Sequence, residues 1–193
     1  MRYRYNEVNL HTHSYYCRHG KGEIVDYVNV AKAKGLLKVL GFSEHAPLPD
    51  RTLDFGTRMA YSELDDYERD VKRADGRGGI KVLLGAECDW IEDEAGYYRD
   101  ELLGERGYSY LLGSVHSMVS PVTGLDTYIS RIGIAFRPML PEYVRKYTKM
   151  LSSGLFLYGC HPDLYMADYR LWDENAKAAA KDIGECAKDC GVP

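Results

Sequence analysis

Six histidines carry most of the chemical potential of this 193-residue chain, and none of them falls within a helical pattern. His11 and His13 close the first short apolar run, and His19 follows in the next loop. His45 closes the second run, His116 the fourth and His161 the fifth. The third run ends in a carboxylate instead, Gly85-Ala86-Glu87. Neutral imidazole and carboxylate are good ligands for zinc, manganese and iron. Gathered on one rim without a cation, these groups would repel on protonation and carry a desolvation cost. The expected chemistry is therefore ligation of divalent metal by His11, His13, His19, His45, Glu87, His116 and His161. A carboxylate among several histidines can also bridge two ions.

Each residue alone has a plainer reading. His11-x-His13 also arises as a surface pair, and His19 as an ordinary loop histidine. His45 and His161 could be satisfied by backbone carbonyls, His116 could be a core histidine with a partner, and Glu87 an exposed strand-end acid. Their joint placement at strand ends is what separates them from these readings. Glu44 should point to the opposite strand face and reads as structural. Asp89 would share a face with Glu87 if the strand continues, but reads as a surface residue. Asp163, after His161-Pro162, reads as a turn cap. Arg58, Arg131 and Arg137 lie in loops on the same rim; Arg58 and Arg131 are carried forward as phosphate-binding candidates. No GxGxxG, P-loop or GxSxG occurs, so nucleotide-fingerprint and serine-hydrolase readings lack support.

The elements that must hold these residues alternate. Strands are expected at Glu7–Leu10, Leu37–Phe42, Ile80–Leu84, Tyr110–Leu112 and Leu155–Tyr158. The spacing of Ile24, Val28 and Ala31 predicts a helix from Glu23 to Lys34, stopped by Gly35. Leu64, Tyr67, Val71 and Ala74 predict a second, opened by a Ser62/Asp65 capping box. Val144, Tyr147 and Leu151 predict a third, with Pro141 in its first turn. Ala176, Ala179, Ala180, Ile183 and Ala187 predict a fourth over Asp173–Cys190. Residues 117–137 form a long connection. Strand–helix alternation implies right-handed crossovers and a parallel sheet, whose carboxyl edge is where ligands bind.

Composition sets the outer bounds. The chain is 45% hydrophobic and 28% charged, enough for one compact domain and not comfortably for two. Its formal net charge of −4 disfavours a general nucleic-acid binder. No apolar run reaches the ~18–20 residues of a membrane span, and no secretory signal is visible at the start. The five scattered cysteines read as reduced thiols in a cytoplasm.

Taken together, His11-Thr12-His13-Ser14 with His19, Phe42-Ser43-Glu44-His45-Ala46-Pro47-Leu48, Gly85-Ala86-Glu87, Ser114-Val115-His116 and Gly159-Cys160-His161-Pro162-Asp163 resemble the PHP (polymerase and histidinol phosphatase) superfamily. Within it the chain looks most like the histidinol phosphatases of histidine biosynthesis. The resemblance implies a distorted (β/α)7 TIM-like barrel and up to three divalent ions of zinc, manganese or iron. By motif, His11 and His13 would bind one ion and Glu87 would bridge it to a second, completed by His116 and His161. His19 and His45 would hold a third. Through that centre Glu87, His11 and His13 would be catalytic, and the substrate a small-molecule phosphate ester, L-histidinol phosphate. The alternatives are a PHP-type phosphoesterase of different substrate or a non-catalytic metal-binding remnant. The family's closing Glu-x-Asn and Asp-x-His strands are not found. The expectation is thus a single PHP domain over 1–193, incomplete at about five to six βα units, with an open sheet edge that favours homo-oligomers.

Overall fold

A computed structural model describes residues 3–49 and 56–193; within that span the chain divides into two compact units. The first comprises residues up to Glu87 together with Leu102–Leu111. It opens with β1 (Val8–Asn9), followed by α1 (Ile24–Lys34), β2 (Val39–His45), α2 (Leu64–Ala74), β3 (Lys81–Asp89) and β4 (Tyr110–Ser114). β3 and β4 run on into the second unit.

The helices form for the reasons expected. Ile24, Val28 and Ala31 are buried on one face of α1, and Gly35 ends it in the left-handed conformation that glycine tolerates. Leu64, Tyr67, Val71 and Ala74 are buried along α2. The start of α2 differs from expectation: Glu63, not Ser62, is its N-cap and makes no side-chain cap there, its carboxylate instead accepting the Ala60 N–H at 2.7 Å across the preceding turn. A short 3-10 turn over Tyr61–Glu63 precedes the helix and moves its first turn past Ser62.

β1 pairs with β2, and β2 with β3, in parallel. All seven residues of β2 are buried, as in a strand covered on both faces, and its last three, Ser43, Glu44 and His45, are polar. β3 extends to Asp89, five residues beyond the expected end at Leu84, because Glu87 and Asp89 are themselves buried. Gly41 and Gly85 open room for one ring: a Cβ at either would stand 2.2–2.3 Å from Tyr110. The Tyr110 hydroxyl then reaches the carbonyls of Leu10 (2.7 Å) and Phe42 (3.1 Å), bracing the ends of the two strands that lead into the histidines.

The second unit comprises Cys88–Glu101 and Leu112–Pro193. It holds the last residues of β3 and β4, an antiparallel hairpin of β5 (Ser117–Val119) and β6 (Asp126–Tyr128), then α3 (Leu140–Ser152), β7 (Tyr158–Gly159), α4 (Met166–Tyr169) and α5 (Glu174–Cys190). β4 pairs with β7 in parallel through Leu112–Tyr158 and Gly113–Gly159. The strand order is β1-β2-β3-β4-β7.

Several expectations shift here. The fifth strand is two residues, Tyr158–Gly159, not Leu155–Tyr158, since the register with β4 pairs those two residues. The connection after His116 contains the hairpin. Between β3 and β4 the chain winds as a π-type helix over Tyr97–Glu105, which no regular periodicity announced. α5 is capped by Asp173, which accepts from the Ala176 N–H, and packs on α3. Ala180 lies off its buried face, which is formed by Ala176, Ala179 and Ile183. All five cysteines are free thiols. No helix among the described residues is long and apolar enough to cross a membrane.

Candidate metal centre

In the first unit the backbone after β1 stays extended beside β2. Ser43 donates its N–H to Thr12 O at 3.0 Å, and the Thr12 N–H reaches Ser43 Oγ at 3.1 Å. Extended backbone alternates its side chains. His11 and His13 therefore share a side, while Thr12 and Ser14 are buried on the other. A 3-10 turn over Tyr15–Cys17, ended by Arg18 at φ 65°, brings His19 back towards them. His45 and Glu87 are direct partners in the β2–β3 register, so they too share a face.

These placements converge on one oxygen. Glu87, 1% exposed, presents Oε2 at 3.1 Å from His11 Nε2, 3.1 Å from His13 Nε2 and 3.5 Å from His45 Nδ1. The two Nε2 atoms are 3.0 Å apart. His19 Nε2 lies 3.1 Å from His45 Nε2, and the His13 and His45 rings stack at 4.7 Å. Three potential donor atoms thus lie within about 3.1 Å of one another in one cluster. A tetrahedral zinc site with bonds of 2.0–2.1 Å has donors roughly 3.3 Å apart, close to the separations seen. The donor set of His11, His13 and Glu87 therefore fits a divalent cation.

Electrostatics agree with that fit. Burial alone would depress the His13 pKa. Contacts with Cys17 and Glu87, and the charges of Glu87 and Glu44, outweigh it and carry the imidazole up to about 9. Burial pushes Glu44 up, opposed by Ser14 and His13. In the metal-free chain the His13 charge thus stands in for a cation. Below pH 6.5 both folded and unfolded chains hold that proton and the contribution to stability is complete. As pH rises through about 9 it is lost, on the order of 3 kcal/mol in all. Melting temperature in chelator should therefore fall over that window, and the fall should shrink in Glu87→Gln. A melting temperature that stays level would contradict the assignment.

In the second unit the ends of β3 and β4 meet. Asp89, expected at the surface, is 3% exposed; its Oδ1 accepts from the His116 N–H (3.1 Å) and from Nδ1 (2.9 Å). The correction follows from the length of β3, which carries Asp89 inside with Glu87. With Nδ1 as the donor in this contact, Nε2 is the nitrogen left available to a ligand. His116 stacks on Tyr128 of the hairpin, and the His161 ring lies 4.8 Å from it. His161 itself adopts φ 31°, turning the chain out of β7 into the 162–165 turn that contains Asp163.

The arginines differ from one another. Arg58 is buried, with Nη1 donating to Ala46 O at 2.8 Å, directly after His45. Arg131 and Arg137 are exposed. Lys146, not singled out from sequence, is half-buried and donates from Nζ to Ser117 O at 3.1 Å, the residue after His116. Burial lowers its pKa, against the fields of Asp89, Asp126 and Glu142. The signal was present: Lys146 falls on the same stripe of α3 as Tyr143, Tyr147 and Met150, all buried.

Fold and donors together define a class: an α/β protein whose strands end in a candidate divalent-metal centre. The PHP-domain family model matches residues 9–192, and the chain belongs to that family. A probable histidinol-phosphatase of Schizosaccharomyces pombe is 27% identical over 159 residues, covering 78% of this chain and 48% of that protein. The histidinol-phosphatase of Bacillus subtilis is 32% identical over 100 residues, 47% of this chain and 37% of that protein. The chain thus spans about half, or less, of the length of these curated relatives. A histidinol phosphate phosphatase from Lactococcus lactis subsp. lactis, solved with zinc, L-histidinol and phosphate, shares the fold at a TM-score of 0.73 and 15% identity. That match covers 97% of this chain and 71% of that one.

Proposed function

We propose that the chain is the metal-binding portion of a phosphomonoesterase, with L-histidinol phosphate as substrate, built on the distorted (β/α)7 barrel that the family resemblance implies. The observation that supports this most is the convergence of His11, His13 and His45 on a single buried oxygen of Glu87. The names of the curated relatives favour the same substrate. Zinc is the first choice of metal, since the Lactococcus protein was solved with it; manganese or iron would suit the same donors. His11, His13, His19, His45, Glu87, His116 and His161 are the proposed ligands, and Arg58 and Arg131 the proposed phosphate contacts.

When bound, divalent ions supply charge neutralisation at the phosphate and lower the pKa of water. The chain's own residues do the rest. Glu87 and the imidazoles would hold the ions, and Asp89 would orient His116 through its Nδ1. No side-chain nucleophile is required.

The test is phosphate release from L-histidinol phosphate by the zinc-loaded chain. Release should be abolished by chelator and reduced at least 100-fold by His11→Ala. Release that survives either treatment overturns the reading. A panel of other phosphate esters decides the substrate. Because the chain spans half or less of its curated relatives, a second reading is kept, a PHP module that holds metal without turnover. Zinc uptake with no release from any ester would decide for it.

A further inference from the structure

Among the described residues of the first unit, Glu44 is the most deeply buried carboxylate that the metal reading leaves unused; Glu68, the other, is engaged by Arg106 and Lys72. Glu44 is fully buried, on the strand position next to His45. Its Oε1 accepts the Ser14 N–H at 2.6 Å, which pins the segment carrying His13. Its Oε2 has no hydrogen-bond partner, and neither has His13 Nδ1; both atoms are buried, 3.9 Å apart. Facing Glu44 are the Ser14 N–H, the His13 ring and the Cys17 thiol, with the Tyr27 and Tyr67 hydroxyls in its field. On the other side of the ring, His13 Nε2 is the atom turned to His11 and Glu87.

A buried carboxylate with one hydrogen bond is costly unless its second oxygen finds a donor. A histidine that ligates through Nε2 carries its proton on Nδ1, and that proton needs an acceptor. The two orphaned atoms, 3.9 Å apart, are each other's remedy. The second unit shows the relation already closed, in Asp89 Oδ1 and His116 Nδ1 at 2.9 Å.

We propose that Glu44 is a positioning residue for His13: its Oε2 accepts the Nδ1 proton when Nε2 holds a metal ion, while its Oε1 fixes the backbone at Ser14. This rests on the metal reading above. Sequence alone places Glu44 on the opposite face of β2 from His45, and that placement is what sets it behind the His13 segment rather than among the ligands.

Glu44→Gln separates the two parts of this role, since the amide oxygen keeps the Ser14 contact and the charge is lost. Zinc affinity by chelator competition should weaken 10- to 100-fold, with a cooperative melting transition in chelator retained. Equal affinity in wild type and Glu44→Gln overturns the proposal and leaves the metal reading standing. A wild-type chain that takes up no zinc overturns both. Should Glu44→Gln fail to fold, ¹⁵N-histidine spectra of the zinc-loaded wild type decide. A His13 Nδ1 proton protected from solvent exchange supports the role, and one exchanging freely removes it.

Discussion

Glu87→Ala should leave the chain folded but much weakened, and unable to hold zinc. Three imidazoles lie within 3.5 Å of Glu87 Oε2, and His13 is charged at neutral pH because of Glu87 among others. Removing one partner from a buried charged pair costs about 3–5 kcal/mol. For a chain of this size that is a fall of roughly 10 °C in melting temperature in chelator. Zinc affinity should drop by more than 100-fold, because the donor common to the histidines is gone. Glu87→Gln keeps the shape and should recover part of the stability but little of the affinity. Differential scanning fluorimetry with and without zinc reads both effects. Wild-type zinc affinity in Glu87→Ala would remove Glu87 from the centre.

Gly85→Ala is the second large effect, and it acts without touching any proposed ligand. A methyl there would sit 2.3 Å from Cζ of Tyr110 and 2.5–2.6 Å from both Cε atoms. The ring cannot slide away freely. Its hydroxyl is tied to the Leu10 and Phe42 carbonyls, and Gly41 leaves no room on the other side. Overpacking costs about 1–3 kcal/mol and more where the neighbours are fixed. The upper end is expected here, with a melting temperature lower by roughly 10 °C. Because Leu10 directly precedes His11, zinc affinity should fall as well. Gly184→Ala is the control: nothing lies near that position in α5, and alanine there should be neutral or stabilise by up to about 1 kcal/mol. If Gly85→Ala behaves like Gly184→Ala, Tyr110 is not the brace described.

Much of the fold, and the candidate donors, is legible in the sequence. The histidines announce themselves because strand ends are set by apolar runs, and a residue type that clusters there by position alone needs no tertiary information. The helices were equally plain, since Ile24, Val28 and Ala31, or Leu64, Tyr67 and Val71, repeat at helical spacing. What escaped was decided by burial of polar groups. Whether β3 stops at Leu84 or carries Glu87 and Asp89 inward depends on partners from other segments, and His116 lies 27 residues beyond Asp89. The hairpin after His116 and the π-type helix at Tyr97–Glu105 carry no clean period. The opening of α2 went to Glu63 because a 3-10 turn shifted the frame by a residue or two, which local sequence does not specify.

The grouping of His11, His13, His45 and Glu87 also bears on how the first unit stays together. Its members come from points up to 76 residues apart along the chain. An ion held among them is therefore a removable cross-link. It closes long loops that the unfolded chain would otherwise leave open. Its grip is set by supply rather than by sequence: free zinc at 100 times its dissociation constant adds about 2.7 kcal/mol to folding, and scarcity subtracts the same. With an ion bound there, the level of available metal in the surroundings would govern lifetime against proteases as directly as any side chain does.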